Sequence, residues 1–223
     1  MYKAKSLKDY RFPNGLIQIF AKAPIAGQVK TRLKEALSEA DILITYKQML
    51  DDVITMALGA RVCPVEIRVA LDPEHEFFLP YIENHPVSVK AQTEGDLGQR
   101  MEAAFNEALA EKDFVIAIGG DCVSINAGYL LEAAQLLAAD QDVVLGPAED
   151  GGYILLGMQQ LYPEVFQGIP WGQANVLALS VEKLERSHVN YSLLGVGWDV
   201  DTLEGLRRYQ ATLSGVGVVF SVN

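Results

Sequence analysis

The chain has 223 residues, 50% of them hydrophobic, and a formal net charge of −11 at pH 7. A chain of this size can bury one core, so we expect a single domain over residues 1–223, with residues 1–14 as an N-terminal extension. The negative charge would repel a phosphate backbone, which disfavours nucleic acid as a partner and leaves small anionic substrates open.

The first residues and the cysteines indicate the compartment. Residues 1–14 include basic side chains but no continuous apolar run, so we expect neither a signal peptide nor a membrane anchor. Cys63 and Cys122 are far apart and lack a metal-ligand spacing, which favours reduced thiols over a disulfide. These features predict a cytoplasmic protein without a membrane partner.

Apolar runs of strand length alternate with segments of helical period, which is typical of an α/β fold with helices covering a largely parallel sheet. The predicted strands are residues 16–21, 65–71, 87–91, 114–118, 143–145, 153–157 and 215–222. The predicted helices are residues 40–58, 96–109 and 127–139. The first helix should bury one face, which comprises Ile42, Ile44, Tyr46, Met49, Leu50, Val53 and Ile54.

A basic loop follows the first strand, at the end of a sheet where ligands of such folds usually bind. A glycine permits close backbone approach, cations neutralise charge, and a helix start would point free N–H groups at an anion. The predicted phosphate contacts are Ala21, Lys22, Gly27, Lys30 and Arg32. A solvated basic turn is the alternative.

Asp121 directly follows the fourth predicted strand and precedes a helix. A carboxylate there suits a divalent cation, because Mg²⁺ takes one or two protein carboxylates beside water and substrate phosphates. Helix capping is the alternative, although Ser124 or Asn126 lies nearer to the start of the helix.

Two further acidic segments occur later in the chain. Asp150 precedes Gly151 and Gly152, which predicts either a hairpin turn or a carboxylate that acts on an acceptor hydroxyl, with the glycines making room for substrate. Asp199 and Asp201 are two residues apart, so in extended backbone both side chains point the same way and would complete a metal site. Capping is the alternative, because Asp201 or Thr202 followed by Glu204 is typical of the start of a helix.

Three more side chains are candidate substrate contacts. Asp96 and Arg100 lie at the start of a predicted helix, where Arg100 would bind phosphate or pair with Asp96. Trp171 would stack on a sugar or a base, or pack in the core.

Six segments occur in order along the chain: FAKAPIAGQVKTRL, QTEGDLGQRM, IGGDC, LGPAEDGGYILLG, IPWG and DVDT. Together, over about residues 16–208, they resemble bacterial glycosyltransferase-like proteins associated with radical-enzyme and arsenosugar pathways. That family looks like the GT-A nucleotide-diphospho-sugar transferases and is distantly similar to the molybdenum-cofactor and coenzyme F420 guanylyltransferases. The resemblance implies a Rossmann-like fold with a mixed, mostly parallel sheet, a nucleotide on the first loop and Asp121 as a metal ligand.

The chain departs from the family pattern beside Asp121. The pattern reads G-[ST]-D-[CS]-P, whereas Gly120 and Val123 stand here in place of the hydroxyl residue and the proline. Both changes weaken the loop support that the pattern implies. The first loop also lacks the G-x-G-x-R opening of the nucleotidyltransferases, which favours glycosyl transfer.

These observations predict an enzyme that transfers a glycosyl group from a nucleotide sugar to a small-molecule acceptor. Mg²⁺ or Mn²⁺ would bind Asp121, with help from Asp201 or Asp199, and Asp150 would activate or orient the acceptor hydroxyl. Two alternatives stay open: nucleotidyl transfer to a phosphorylated acceptor with release of pyrophosphate, and a non-catalytic nucleotide-binding protein. No motif identifies the donor, the acceptor, the stereochemical outcome or the oligomeric state. A homo-oligomer stays open.

Overall fold

A computed structural model describes residues 9–214, which form a seven-stranded sheet with flanking helices. The strands are β1 Gly15–Lys22, β2 Val65–Ala70, β3 Val87–Ala91, β4 Phe114–Gly119, β5 Val143–Pro147, β6 Tyr153–Met158 and β7 Tyr191–Leu193. The helices are α1 Glu39–Ala60, α2 Leu79–Asn84, α3 Leu97–Leu109, α4 Ala127–Ala138, α5 Val176–Arg186 and α6 Leu203–Ser214. Short 3₁₀ helices span Thr31–Glu35, Glu76–Phe78 and Pro163–Val165.

The strand order in the sheet is β3-β2-β1-β4-β6-β5-β7. β1 pairs in parallel with β2 and β4, β2 pairs in parallel with β3, and β5 pairs in parallel with β7. β6 is antiparallel to both β4 and β5. This arrangement confirms the predicted Rossmann-like α/β fold with a mixed, mostly parallel sheet.

Helices cover both faces of the sheet, because successive strand residues point to opposite sides. On one face, Ile17 of β1 belongs to the same buried cluster as Leu50 of α1 and Leu130 of α4. On the other face, the neighbouring Leu16 belongs to a second cluster with Phe105 of α3. None of the helices within residues 9–214 has the length and hydrophobicity needed to cross a membrane.

The register of β1 and β4 brings the two central loops together. Phe20 of β1 lies beside Gly119 of β4, so both strands end at the same edge of the sheet. The backbone N–H of Gly120 then donates a 2.9 Å hydrogen bond to the carbonyl of Phe20. The basic loop after β1 and the Asp121 loop after β4 therefore start as neighbours.

The structure corrects several details of the sequence prediction. Ile44 was predicted on the buried face of α1 but is 55% exposed. The buried face of α1 includes Tyr46, Met49 and Leu50, and Ile44 lies outside it. The basic loop leads into the 3₁₀ helix Thr31–Glu35 rather than directly into an α-helix. The sequence did not predict β7, α2 or α5, and the strand predicted at residues 215–222 lies outside the described residues.

Candidate active site

Three aspartates meet at the carboxyl end of β4. Asp121, Asp199 and Asp201 each present a carboxylate oxygen within 4.8 Å of the others. Lys30 of the first loop lies among them, with its Nζ 2.5 Å from Oδ2 of Asp121 and 2.5 Å from Oδ1 of Asp201. Arg32 donates from Nη1 to Oδ2 of Asp201 at 3.0 Å. The structure thus joins the predicted phosphate loop to the predicted metal ligands, and we refer to these five residues as the acid–lysine cluster.

The charges of the acid–lysine cluster shift the pKa values of its members. Burial raises the pKa of the Asp199 carboxyl to about 6, and the charges of Asp121 and Asp201 add to this effect. Burial opposes ionisation of Asp201 as well, but the ammonium of Lys30 and its hydrogen bond outweigh it and lower the pKa of Asp201. The pKa of Lys30 is raised, because the attraction of Asp121 and Asp201 exceeds the cost of burial.

The donor set of the acid–lysine cluster fits a divalent cation. Three hard carboxylate oxygens converge, which is the ligand type that Mg²⁺ and Mn²⁺ prefer. Burial raises the pKa of Asp199, and the negative charges of Asp121 and Asp201 raise it further against the opposing charge of Lys30. The Lys30 ammonium also shows that a positive charge is stabilised between Asp121 and Asp201.

Local contacts hold the two loops in place. The hydroxyl of Tyr46 accepts from the backbone N–H of Lys22 and donates to the carbonyl of Lys22, both at 3.0 Å. A Cβ at Gly120 would lie 2.7 Å from Cδ1 of Leu50 and 3.3 Å from Cβ of Ala21. A larger residue at position 120 would therefore require the terminal methyl group of Leu50 to move.

Neither Asp121 nor Asp201 of the acid–lysine cluster caps a helix. Asn126 caps α4 by accepting from the backbone N–H of Tyr129 at 3.0 Å. Thr202 accepts from the backbone N–H of Gly205 at 3.2 Å at the start of α6, which leaves Asp201 free for Lys30 and Arg32. The capping alternative for Asp121 is therefore wrong, whereas the cap predicted at Asp201 or Thr202 is made by Thr202.

Ser124 connects the loop that carries Asp121 to the segment that carries Asp199. Its hydroxyl donates to the carbonyl of Trp198 at 2.6 Å and accepts from the backbone N–H of Trp198 at 2.8 Å. The sequence offered Ser124 only as a possible helix cap. Its observed contacts instead hold together two acidic segments that are distant in the chain.

A first cavity of about 270 Å³ opens beside the acid–lysine cluster. Predicted substrate residues among its lining residues are Ala21, Lys22, Lys30, Arg32 and Arg100. The sequence prediction missed Gln92 and Tyr46, which also line it. Gln92 accepts from Nη1 of Arg100 at 2.8 Å and donates to the carbonyl of Ala21 at 2.9 Å, so it orients Arg100. Its position just after β3 was the only sequence signal for it.

A second cavity of about 350 Å³ lies on the other side of the acid–lysine cluster. Its lining includes Asp150, Gly152 and Trp171 of the predicted site, together with all three aspartates of the cluster. The two cavities share several lining residues, namely Phe20, Arg32, Leu97, Asp121 and Asp201. The acid–lysine cluster therefore forms the boundary between them.

Asp150 lies in the turn between β5 and β6, so the hairpin prediction is confirmed. Its Oδ1 accepts from the backbone N–H of Gly152 at 3.0 Å, and the side chain is exposed to the second cavity. Gly151 has φ of 88°, and a Cβ there would lie 1.9 Å from the carbonyl oxygen of Ala174. Gly151 thus permits a close backbone contact and does not line either cavity.

Two other predicted site residues also lie away from the cavity linings. Asp96 caps α3 by accepting from the backbone N–H of Gln99 at 2.9 Å, and Arg100 contacts its carbonyl oxygen rather than its carboxylate. The predicted Asp96–Arg100 carboxylate pair is therefore wrong. Gly27, with φ of 75°, faces Glu39.

Similar structures were found for this fold. A protein of Desulfovibrio desulfuricans G20, provisionally named a nucleotide-diphospho-sugar transferase, matches with a TM-score of 0.80 and 28% identity over 92% of this chain and 89% of that chain. CMP:2-keto-3-deoxy-manno-octonic acid synthetase, solved in complex with CTP, matches with a TM-score of 0.60 and 14% identity over 91% and 99% of the two chains. 4-Diphosphocytidyl-2C-methyl-D-erythritol synthase from Anaerococcus prevotii DSM 20548 matches with a TM-score of 0.57 and 9% identity over 91% of this chain and 98% of that chain. The last two matches show a shared fold alone.

Comparisons of the sequence identify a family. No curated protein sequence matches the chain. The model of a family described as uncharacterized proteins conserved in bacteria, DUF2064, matches residues 55–173, which are more than half of the chain and include Asp121, Asp150 and Trp171. The protein belongs to this DUF2064 family, and its fold is that of the nucleotide-diphospho-sugar transferases.

Proposed function

We propose that the protein transfers a glycosyl group from a nucleotide-diphospho-sugar to the hydroxyl of a small-molecule acceptor, with the help of a divalent cation. One observation carries the proposal: the acid–lysine cluster separates two neighbouring cavities, one lined by several cations and one lined by carboxylates and apolar groups. Such a pair of cavities suits a reaction in which a charged donor and a second substrate meet at one cation.

The first cavity has the chemistry of a diphosphate site. Lys22, Arg32 and Arg100 line it, and Lys30 lies at its floor with a side chain that is only 7% exposed. Guanidinium and ammonium groups bind phosphate oxygens through charge-assisted hydrogen bonds. We infer that the nucleotide diphosphate of the donor binds here.

Asp121, Asp199 and Asp201 would hold Mg²⁺ or Mn²⁺ between this cavity and the next. When bound, the cation acts as a Lewis acid that offsets the charge developing on the diphosphate. Lys30 and Arg32 lie within hydrogen-bond distance of the same carboxylates, so they are placed to stabilise the leaving diphosphate as well.

Asp150 is the proposed base on the acceptor side. The acceptor oxygen forms a bond to the anomeric carbon, the bond from that carbon to the diphosphate oxygen breaks, and its electron pair leaves with the nucleoside diphosphate. The hydroxyl proton passes to the carboxylate of Asp150, which the hydrogen bond from Gly152 orients in the second cavity.

A thermal-shift screen tests the donor site. Nucleoside diphosphates and nucleotide sugars are added with Mg²⁺, with Mn²⁺ or with EDTA, because a ligand that binds only the folded state raises its stability. A donor at about 100 times its dissociation constant should add about 2.7 kcal/mol and depend on the metal. A donor that raises the stability of the protein as much in EDTA as it does with Mg²⁺ or Mn²⁺ would contradict the role of the cation.

Asp121→Asn is the variant that tests the metal site, and Asp96→Asn is its matched control. Asp96 is an aspartate that caps α3 and lines neither cavity, and asparagine caps equally well. We expect Asp121→Asn to abolish metal-dependent stabilisation and to reduce turnover by about 100-fold or more, while Asp96→Asn leaves both intact. Full activity of Asp121→Asn would refute the assignment.

Nucleotidyl transfer is the second candidate, because cytidylyltransferases share the fold. Product analysis separates the two reactions. Glycosyl transfer releases a nucleoside diphosphate, whereas transfer from a nucleoside triphosphate to a phosphorylated acceptor releases pyrophosphate. Nucleotide binding without turnover over a full donor panel would indicate a non-catalytic nucleotide-binding protein.

A further inference from the structure

The second cavity has apolar walls over most of its surface. Its hydrophobic lining comes from β1, α3, β4, β6, the segment before α5 and the first residue of α5, and includes Phe20, Leu97, Met101, Ile154, Trp171 and Val176. A volume of about 350 Å³ suits a small organic molecule. Side chains of this kind favour a ligand that has an apolar body.

An aromatic pair forms one of these walls. The rings of Tyr153 and Trp171 lie edge to face, with centroids 6.1 Å apart and an interplanar angle of 89°. The indole nitrogen of Trp171 lies close to Gly98 of α3. A Cβ added at Gly98 would be only 2.4 Å from that nitrogen. Gly98 therefore lets the indole pack tightly against the start of α3, which fixes the ring beside the cavity.

The charged groups of the second cavity are almost all acidic. Asp150 and the three aspartates of the acid–lysine cluster line it. Arg32 is the one cationic side chain among the described lining residues, and it is already paired with Asp201 at 3.0 Å. The first cavity differs sharply, since Lys22, Lys30, Arg32 and Arg100 all line it.

We propose that the second cavity binds an uncharged acceptor with an apolar, ring-containing body and a free hydroxyl, and that it excludes phosphorylated acceptors. This inference rests on the proposed function and identifies the class of its acceptor. In the metal-free protein, a phosphate group in the cavity would lie beside four carboxylates, and the described lining residues offer no unpaired cation to offset it. With a cation held by the three aspartates of the cluster, the phosphate would still face the carboxylate of Asp150 and the charge of the donor diphosphate next door. The hydroxyl of an uncharged acceptor would instead donate to Asp150.

Binding of matched probes to the free protein tests this inference. The probes are 2-phenylethanol, 2-phenylethyl phosphate and glycerol, which vary the charge and the apolar body separately. The chain has two tryptophans, so Trp198→Phe leaves Trp171 as the single indole reporter in the cavity wall. Titration calorimetry on the unmodified protein provides a second readout that does not depend on the variant.

We expect 2-phenylethanol to quench Trp171 and to bind roughly tenfold or more tightly than glycerol, because the ring becomes buried. The phosphate ester should bind at least about tenfold more weakly than the alcohol. Equal or tighter binding of the phosphate ester overturns the proposal, as does equal binding of glycerol or the absence of measurable 2-phenylethanol binding.

Gln173→Lys locates the effect in the second cavity. Gln173 is an exposed lining residue, so a lysine there adds a cation at the mouth of the cavity. We expect this variant to bind 2-phenylethyl phosphate several times more tightly, with little change for 2-phenylethanol. Gln167→Lys, at an exposed position that does not line the cavity, is the control and should bind the probes as the unmodified protein does.

Probe binding to the second cavity and nucleotide binding in the donor screen test different claims. Binding of 2-phenylethanol without metal-dependent nucleotide binding would reject the proposed function and retain the cavity chemistry. Metal-dependent nucleotide binding combined with preferred binding of the phosphate ester would reject this inference and leave transfer chemistry in place.

Discussion

The Nζ atom of Lys30 lies 2.5 Å from Oδ2 of Asp121, although the two residues are 91 positions apart in the chain. Lys30 makes a second contact of the same length with Asp201. Its ammonium thus neutralises part of the charge that a divalent cation would neutralise. Competition between Lys30 and the cation for the two carboxylates leads to the first prediction.

Lys30→Met should make the metal-free protein less stable and more responsive to metal. Loss of the ammonium leaves Asp121 and Asp201 without their partner, and we expect a cost of about 1–3 kcal/mol, limited by the partial exposure of both carboxylates. Mn²⁺ should then raise the melting temperature of the variant more than that of the unmodified protein. Lys34→Met is the control, because Lys34 forms an ion pair with the exposed Glu39 and its loss should change stability by less than about 0.5 kcal/mol. An equal Mn²⁺ response in Lys30→Met and the unmodified protein would contradict the competition.

Asp199→Asn should change how stability depends on pH. The folded state raises the pKa of this carboxyl from 3.8 to about 6, so its contribution to stability is fully present below the unfolded value and is lost as pH rises through the folded value. The amide introduced by Asp199→Asn does not ionise, so the variant does not lose this stability as the pH rises. In urea unfolding with EDTA, we expect the stability advantage of the variant to grow by about 1 kcal/mol from about pH 5 to about pH 7.5. A difference that is constant over this range would show that Asp199 does not titrate as described.

Ser124→Ala should loosen the connection between the two acidic segments. The substitution leaves the N–H and the carbonyl of Trp198 without their hydroxyl partner, at a cost of about 1–3 kcal/mol in unfolding free energy. Because Asp199 follows Trp198, metal-dependent nucleotide stabilisation should also decrease. Ser192→Ala removes a hydroxyl that bonds Gln141 away from the cavities, and it should leave nucleotide stabilisation unchanged. The same loss in both variants would indicate a general effect on folding.

Gly98→Ala should disturb the aromatic wall of the second cavity. The added methyl would lie 2.4 Å from Nε1 of Trp171 and 2.8 Å from the carbonyl oxygen of Phe166, so the indole must move. We expect a loss of about 1–3 kcal/mol in stability and a shift in Trp171 fluorescence. Gly59→Ala in α1 meets nothing within 4 Å and should stabilise the protein by up to about 1 kcal/mol. Unchanged stability and fluorescence in Gly98→Ala would contradict the packing described here.

The sequence predicted where the main strands lie along the chain and which loops carry the site. β3 was predicted with its observed bounds, and β1, β2 and β4 within a residue at each end, because apolar runs bounded by turn residues are a local signal. β7 was missed because it has three residues and none is fully buried, so it gives no apolar run. The capping role of Asp96 could not be predicted from the sequence, since an acidic residue before a helix looks the same whether it caps the helix or faces a ligand.

The sequence by itself determined the fold class, the basic loop after β1 and the aspartates that could bind metal, since these depend on side-chain period and on neighbours along the chain. Only the tertiary structure decided that Lys30 lies between Asp121 and Asp201, and that Trp171 and Asp150 line one cavity. These contacts depend on strand order and register, which result from the packing of the whole sheet and leave no signal in any single segment.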